Sequence, residues 1–139
     1  MANQDNVALI KKMYAAFSSG DVQTILDSIS DDAEWVNYGP STIPYSGSWR
    51  GRSQVGEFFQ AMGASITGGK VLPDVVIADG DTVIATGRYT ATVRDNRAEI
   101  DVPIAHVFTV RNGKVSKWVG LSDTAKVAEA HTRAAAAGR

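Results

Sequence analysis

The sequence contains no cysteine, two histidines among 139 residues, and no apolar run approaching the length of a membrane span. Without cysteine there is no disulfide scaffold, no thiolate nucleophile and no cysteine-type zinc site. Two isolated histidines are too few for a histidine-rich metal centre, and no metal or cofactor is expected. Fourteen Lys and Arg oppose fifteen Asp and Glu, giving a net charge of −1. Phosphate binding needs a clustered basic surplus, so nucleic acid is not the expected partner. A bilayer span needs about 20 consecutive apolar residues, so no membrane helix is expected. The first residues, MANQDNV, have neither a basic segment nor an apolar one, and a cytoplasmic location is the expectation. Chemistry, if present, falls to carboxylates, Arg, Tyr, Asn or His.

What is present is enough for one domain with its own core, because chains of about 140 residues bury roughly two thirds of their unfolded surface. The first half carries helical periodicity. Val7, Ile10, Met13, Tyr14 and Phe17 form one apolar stripe, ended by Ser18-Ser19-Gly20. Asp21 is placed to cap a second helix bearing Val22, Ile25, Leu26 and Ile29. Ala33 to Tyr38 reads as a short strand, and the Pro-, Gly- and Ser-containing stretch from Gly39 to Gly51 as a loop. A third helix is expected from about Ser53 to Met62, with Val55, Phe58, Phe59 and Met62 on one face.

The second half alternates. Asp79-Gly80-Asp81, Asp95-Asn96 and Asn112-Gly113 separate strands near 70–78, 82–94, 97–111 and 114–122. Residues 126–139 are Ala-rich and read as a helix or a frayed tail beyond a single domain of 1–125. Helices first and a meander second make an α+β domain.

A turn at Asp95-Asn96 fixes the register of one ribbon: Thr92 opposite Glu99, Thr90 opposite Asp101, Arg88 opposite Pro103. Tyr89, Ala91, Val93, Ile100, Val102, Ile104 and His106 then share one face. Arg88, Thr90, Thr92, Glu99, Asp101, Pro103 and Ala105 share the other. Helices on the apolar face would make it core. Helices on the polar face would leave the apolar one for another subunit. Periodicity leaves both open.

IKKMYAAFSSGDVQTILDSISDDAEW at Ile10–Trp35, PYSGSWRGRSQVGEFF at Pro44–Phe59 and VPIAHVFTVRNGKVSKW at Val102–Trp118 resemble the nuclear-transport-factor-2-like superfamily, in its ketosteroid isomerase and SnoaL-like polyketide cyclase branch. The resemblance implies a cone of cystatin-like α+β roll type: a strongly bent, mostly antiparallel sheet wrapped around three N-terminal helices. It also implies a pocket for a small apolar organic molecule, and a homodimer made through the outer sheet face. That selects the second reading, with Arg88, Thr90 and Asp101 inside and Ile100, Val102, Ile104 and His106 at the interface.

The family's catalytic positions transfer unevenly. The ketosteroid isomerase residues fall on Met13, Asn37 and Ala105, which excludes that machinery, and the cyclase acid/base position is Val119. Limonene epoxide hydrolase, a third relative, places its Arg on Arg88, its Asn on Asn37 and its second Asp on Asp123. Its first Asp falls on Thr90, with Asp101 opposite, and its Tyr falls on Trp35. The expected catalytic set is therefore Asp101, Arg88, Asp123 and Asn37. Tyr14, Trp35, Tyr45, Trp49, Phe58, Phe59, Met62, Thr90 and Ala105 are expected against the substrate. The blander alternatives are an Arg88–Asp101 ion pair, a helix cap at Asp123 and a turn at Asn37. The reading is acid/base chemistry on a carbonyl or epoxide, as an isomerase, cyclase or hydrolase. The alternative is a non-catalytic binding or assembly module.

Overall fold

A computed structural model describes residues 3–134. Helix α1 (Asn3–Ser19) buries Ile10, Met13 and Tyr14 of the expected stripe together with Ala16, and leaves Val7 and Phe17 half-buried. Asp21 caps α2 (Val22–Asp27) by accepting from the Thr24 amide. Strand β1 (Ile29–Asn37) follows, then β2 (Gly47–Arg50), a short strand inside the expected loop. Helix α3 (Gly51–Ser65) leads into a meander of β3 (Ile66–Asp79), β4 (Thr82–Val93), β5 (Glu99–Arg111) and β6 (Lys114–Ser122). Helix α4 (Thr124–Thr132) ends the described chain, and residues 135–139 of the expected tail lie outside it.

The strands form one sheet in the order β2-β1-β6-β5-β4-β3. All neighbours are antiparallel except β1 and β6, which run parallel with Trp35 beside Trp118. The sheet is bent and unclosed, with the N-terminal helices in its hollow, so the α+β architecture expected from sequence is the one observed. The register of β3 slips between Thr67 and Lys70 and again between Pro73 and Val75, irregularities of the kind that bend a strand, and β1 and β5 each carry one more. Pro73 sits on an edge strand, where its missing N–H costs no central ladder bond. Opposite it, a Cβ on Gly87 would lie 2.2 Å from the Leu72 carbonyl oxygen, so only glycine lets the two backbones approach this closely.

The register of β4 on β5 is the expected one: Thr92 faces Glu99, Thr90 faces Asp101 and Arg88 faces Pro103. The choice of face is reversed. Tyr89, Ala91, Val93, Ile100, Val102, Ile104 and His106 are buried under the helices. Arg88, Asp101, Pro103 and Glu99 are exposed on the convex side, with Thr90 and Ala105 half-buried there. Hydrophobic burial explains the outcome. The apolar face gains by covering itself with α1 and α3. Arg88 and Asp101 gain nothing from burial, since desolvating a charge pair costs several kcal/mol per ion. Ile100, Val102, Ile104 and His106 are therefore core and cannot form the expected subunit interface.

Candidate functional site: an aromatic cavity with two polar stations

The hollow between helices and sheet is not completely filled. A cavity of about 90 Å³, counting only space open to the centre of a water molecule, remains under α1 and α3. That is room for several waters or a small ring system, since one water needs about 10–15 Å³ on this measure. Its walls are mostly aromatic and aliphatic. Trp35 on β1 stacks on Trp118 of β6, ring centroids 4.9 Å apart, across the parallel pair. Phe58 and Phe59 of α3 meet Trp35 edge-on or tilted. Met13, Met62 and Ile104 complete the apolar lining. The Trp118 ring folds back over Gly120, where a Cβ would meet it at 2.5 Å.

Two polar clusters interrupt this surface. The first joins α1 to β5: Tyr14 Oη and His106 Nδ1 lie 2.8 Å apart and share a hydrogen bond. Burial drives the Tyr14 hydroxyl far above the usual phenol range. The same burial pulls His106 down to about 3, so the ring is neutral at pH 7. The pair then owns two polar hydrogens, one phenolic and one imidazole. Their mutual bond uses one, and in either tautomer the other remains available to a ligand.

The second cluster joins β4, the β1–β2 loop and α4. Tyr45 Oη lies 2.8 Å from Tyr89 Oη and 2.8 Å from His131 Nε2. Burial pushes Tyr45 up to about 12 and Tyr89 well above its usual range, and lowers His131. At neutral pH every group in both clusters is uncharged. The cavity offers hydrogen bonds but no counter-ion, and an unpaired charge there would be strongly penalised. Among the described residues no Asp or Glu lines it, and no three His, Asp or Glu converge as a metal site.

The expected site residues divide accordingly. Tyr14, Trp35, Tyr45, Phe58, Phe59, Met62 and Asn37 line the cavity. Asn37 donates from Nδ2 to the Tyr45 carbonyl at 3.3 Å, which steadies the loop carrying that ring. Trp49 stands behind the wall, edge-on to Phe58 at 5.9 Å. Arg88 and Asp101 are not in the cavity. They form an ion pair at 2.6 Å on the convex face, with side chains 50% and 63% exposed. Thr90 and Ala105 lie on that same outer side by register. Asp123 caps α4, accepting from the Lys126 amide at 3.3 Å, the alternative role its sequence context offered.

Sequence reasoning missed Tyr89, His106 and His131. Tyr89 and His106 had a signal, since both lie on the apolar face of the ribbon, where a polar group needs a buried partner. His131 had none: its partner Tyr45 is 86 residues away in sequence.

A family model described as a SnoaL-like domain matches residues 10–118. No match occurs among functionally curated proteins. Solved structures share the fold closely. An NTF2-like protein from Burkholderia pseudomallei superposes with a TM-score of 0.86 at 23% identity, over 95% of this chain and 99% of that one. TerC, crystallised with polyporic acid, superposes at 0.82 with 25% identity, over 91% and 98%. A protein from Jannaschia sp. CCS1, proposed to be a SnoaL-like polyketide cyclase, superposes at 0.82 with 16% identity, over 95% and 94%.

Proposed function

The chain belongs to the SnoaL-like domain family, and from that premise we propose that its cavity takes up a small, neutral, largely aromatic molecule and polarises a carbonyl or enol oxygen on it. The observation that carries this reading is the neutral Tyr14–His106 pair, left with one unspent donor against an apolar wall. A donor fixed in a water-poor site stabilises charge developing on a ligand oxygen without reorganising. The pair acts as a hydrogen-bond donor toward that oxygen and keeps its proton, and so stabilises the enolate oxygen as the C–H proton leaves. His106, held neutral, is too weak a base to abstract an unactivated C–H. The reading therefore selects substrates whose C–H is already acidic, with the proton passing to water. The epoxide hydrolase variant needs Arg88 and its carboxylate inside the cavity, whereas Arg88 and Asp101 pair on the convex face outside it.

A second reading, binding without turnover, is favoured by the lack of carboxylates in the lining and by the closed Arg88–Asp101 pair outside it. One experiment separates the two. 1-Indanone and its hydrocarbon counterpart indane are titrated by calorimetry, and deuterium uptake at the carbon beside the ketone is followed by NMR. The turnover reading expects 1-indanone to bind about fivefold tighter than indane or better. It also expects faster exchange with the protein than without it, lost in the double variant Tyr14→Phe/His106→Leu, since either single change leaves one donor of the pair. Tight binding with no acceleration selects the binding module. Equal binding of ketone and hydrocarbon defeats both uses of the pair.

We also propose that two copies associate through the convex face, where Leu72, Val75, Ile77 and Ile84 are 51%, 46%, 58% and 41% exposed. Clustered apolar exposure of this kind marks an interaction surface.

A further inference from the structure

The Tyr89–Tyr45–His131 chain connects the cavity wall to a half-buried ring on the last helix, and the Tyr14–His106 pair does not use it. Tyr89 sits in the lining, Tyr45 is 2% exposed, and His131 is half-buried at the end of α4. The helix is held in place from below. Asn96, buried in the β4–β5 turn, donates from Nδ2 to the carbonyls of Ala130 at 2.7 Å and Arg133 at 2.8 Å. Its Oδ1 accepts from the Ala98 amide at 2.9 Å. The two pinned carbonyls bracket residue 131, so the imidazole is positioned against Tyr45 by packing and by hydrogen bonds on both sides.

We infer that His131 is a positioning residue of the cavity: its protonation state sets the direction of this hydrogen-bond chain, and so whether Tyr89 offers the cavity a donor or an acceptor. The direction of the chain follows from the hydrogens its members carry. With a neutral ring protonated on Nδ1, Nε2 accepts from Tyr45 and Tyr45 accepts from Tyr89, which leaves Tyr89 showing only lone pairs. With the ring protonated on Nε2, every bond reverses and the Tyr89 O–H is free. The imidazolium carries hydrogens on both nitrogens and imposes the second arrangement, because the alternative, Tyr45 accepting from both neighbours, leaves its own buried O–H unpaired. Acid therefore locks Tyr89 as a donor, whereas the neutral ring permits either state. By linkage, a ligand that accepts from Tyr89 must raise the affinity of His131 for its proton, and a ligand that donates must lower it.

The surroundings allow this to be read cleanly. The group facing His131 is Tyr45 from the β1–β2 loop, edge-on at 5.3 Å, with Tyr89 of β4 behind it. On α4 itself Glu129 is engaged by Arg133 at 2.9 Å, and Lys126 is exposed. From the β4–β5 turn the neutral Asn96 faces the helix, while Asp95 and Arg97 are exposed. His131 is shifted below the usual histidine value by burial, and His106 titrates only near 3. A titration downward from pH 7.5 thus meets His131 before His106, which is held at about 3.

This inference rests on the reading of the cavity as a ligand site, and its test separates the two. First, in the free protein, the Tyr89 ring carbon bearing oxygen is followed by ¹³C NMR while His131 is titrated. The expected result is that Tyr89 shifts at the midpoint of His131 in the wild type and ceases to do so in Tyr45→Phe. A Tyr89 signal indifferent to His131 overturns the inference whatever the cavity binds. Second, 1-indanone, which only accepts, and indole, which only donates, are titrated by calorimetry at pH 7.5 and at a pH one unit below the His131 midpoint found in the first experiment. Their affinity ratio is expected to move about fivefold toward 1-indanone in acid. The change should vanish in Tyr45→Phe and in His131→Phe and persist in Tyr14→Phe. A ratio independent of pH also overturns the inference. A Tyr89 shift that follows His131, with neither probe bound at either pH, sustains the chain and overturns the ligand reading instead.

Discussion

His106 makes the fold itself sensitive to acid, and the size of the effect follows from its burial. The ring is 7% exposed, and its bond to Tyr14 survives protonation because the phenol oxygen accepts from an imidazolium as well. What changes is the cost of placing a charge among Phe108, Trp118 and Tyr14 with no carboxylate in the cavity lining. The folded-state value is about 3, against 6.5 for an unfolded histidine. A value lowered on folding means that the unfolded chain takes up the proton first. The stabilisation is complete above pH 6.5, falls as pH drops from 6.5 to about 3, and is constant below. At about 1.4 kcal/mol per pH unit, a drop from pH 7 to 4.5 costs about 3 kcal/mol. That is a large share of the ~5–15 kcal/mol typical of a domain. His131, lowered by burial in the same sense, adds to the loss and is removed from the comparison by working in a His131→Phe background, while Asp21 and Glu129, held below the usual carboxylate range by bonds from Thr24 and Arg133, lose their contributions only at lower pH. Urea unfolding followed by tryptophan fluorescence should place the midpoint ~1–2 M lower at pH 4.5 than at pH 7. His106→Gln, which keeps a hydrogen-bonding group for Tyr14, should remove most of that difference. Equal pH slopes in the variant and the wild type would refute the assignment.

Four further outcomes are expected. Asp101→Asn and Arg88→Met should each change stability by less than about 1 kcal/mol and leave 1-indanone binding unaltered, because the pair is exposed and outside the cavity; urea midpoints and calorimetry check both. Gly87→Ala should destabilise by at least about 2 kcal/mol in urea, since its Cβ would collide with the Leu72 carbonyl and the Pro73 backbone rather than with a movable side chain. Asn96→Ala should cost about 2–3 kcal/mol and release the end of α4, seen as faster amide exchange there, because three hydrogen bonds of a buried side chain are lost together. Ile84→Lys should shift the sedimentation behaviour toward a single copy if the convex face joins two.

Much of this fold was legible because local signals agreed with one another. The α1 stripe, the Asp21 cap and the Asn112-Gly113 turn each found their place, as did the pairing of Thr90 with Asp101. Strand β2 was hidden because Gly47–Arg50 is brief and lies in a loop-like composition. The site was misplaced for a different reason. Alternation states which residues share a face, but not which face the helices will cover. The charged face was placed inside on a resemblance that implies a dimer made through the outer sheet face, against the simpler rule that apolar surface is what folding buries. Arg88 could satisfy Asp101 in solvent at little cost, whereas Tyr89 and His106 had to find partners inside. Those partners, Tyr45 and Tyr14, come from distant parts of the chain, and no spacing in the sequence announces them.

The parallel contact between β1 and β6 has a consequence for how the molecule assembles. Every other neighbouring pair in the sheet joins strands adjacent in sequence, by a tight turn or a loop, but this one unites the first strand with the last. Closing so long a loop carries its entropic cost before any contact offsets it, so this pairing belongs late in folding. Trp35 and Trp118 stack across that seam. Their fluorescence therefore serves as a clock for the final event, and the cavity comes into existence only when that event is complete. A chain stalled before it would hold a formed meander and no binding site at all.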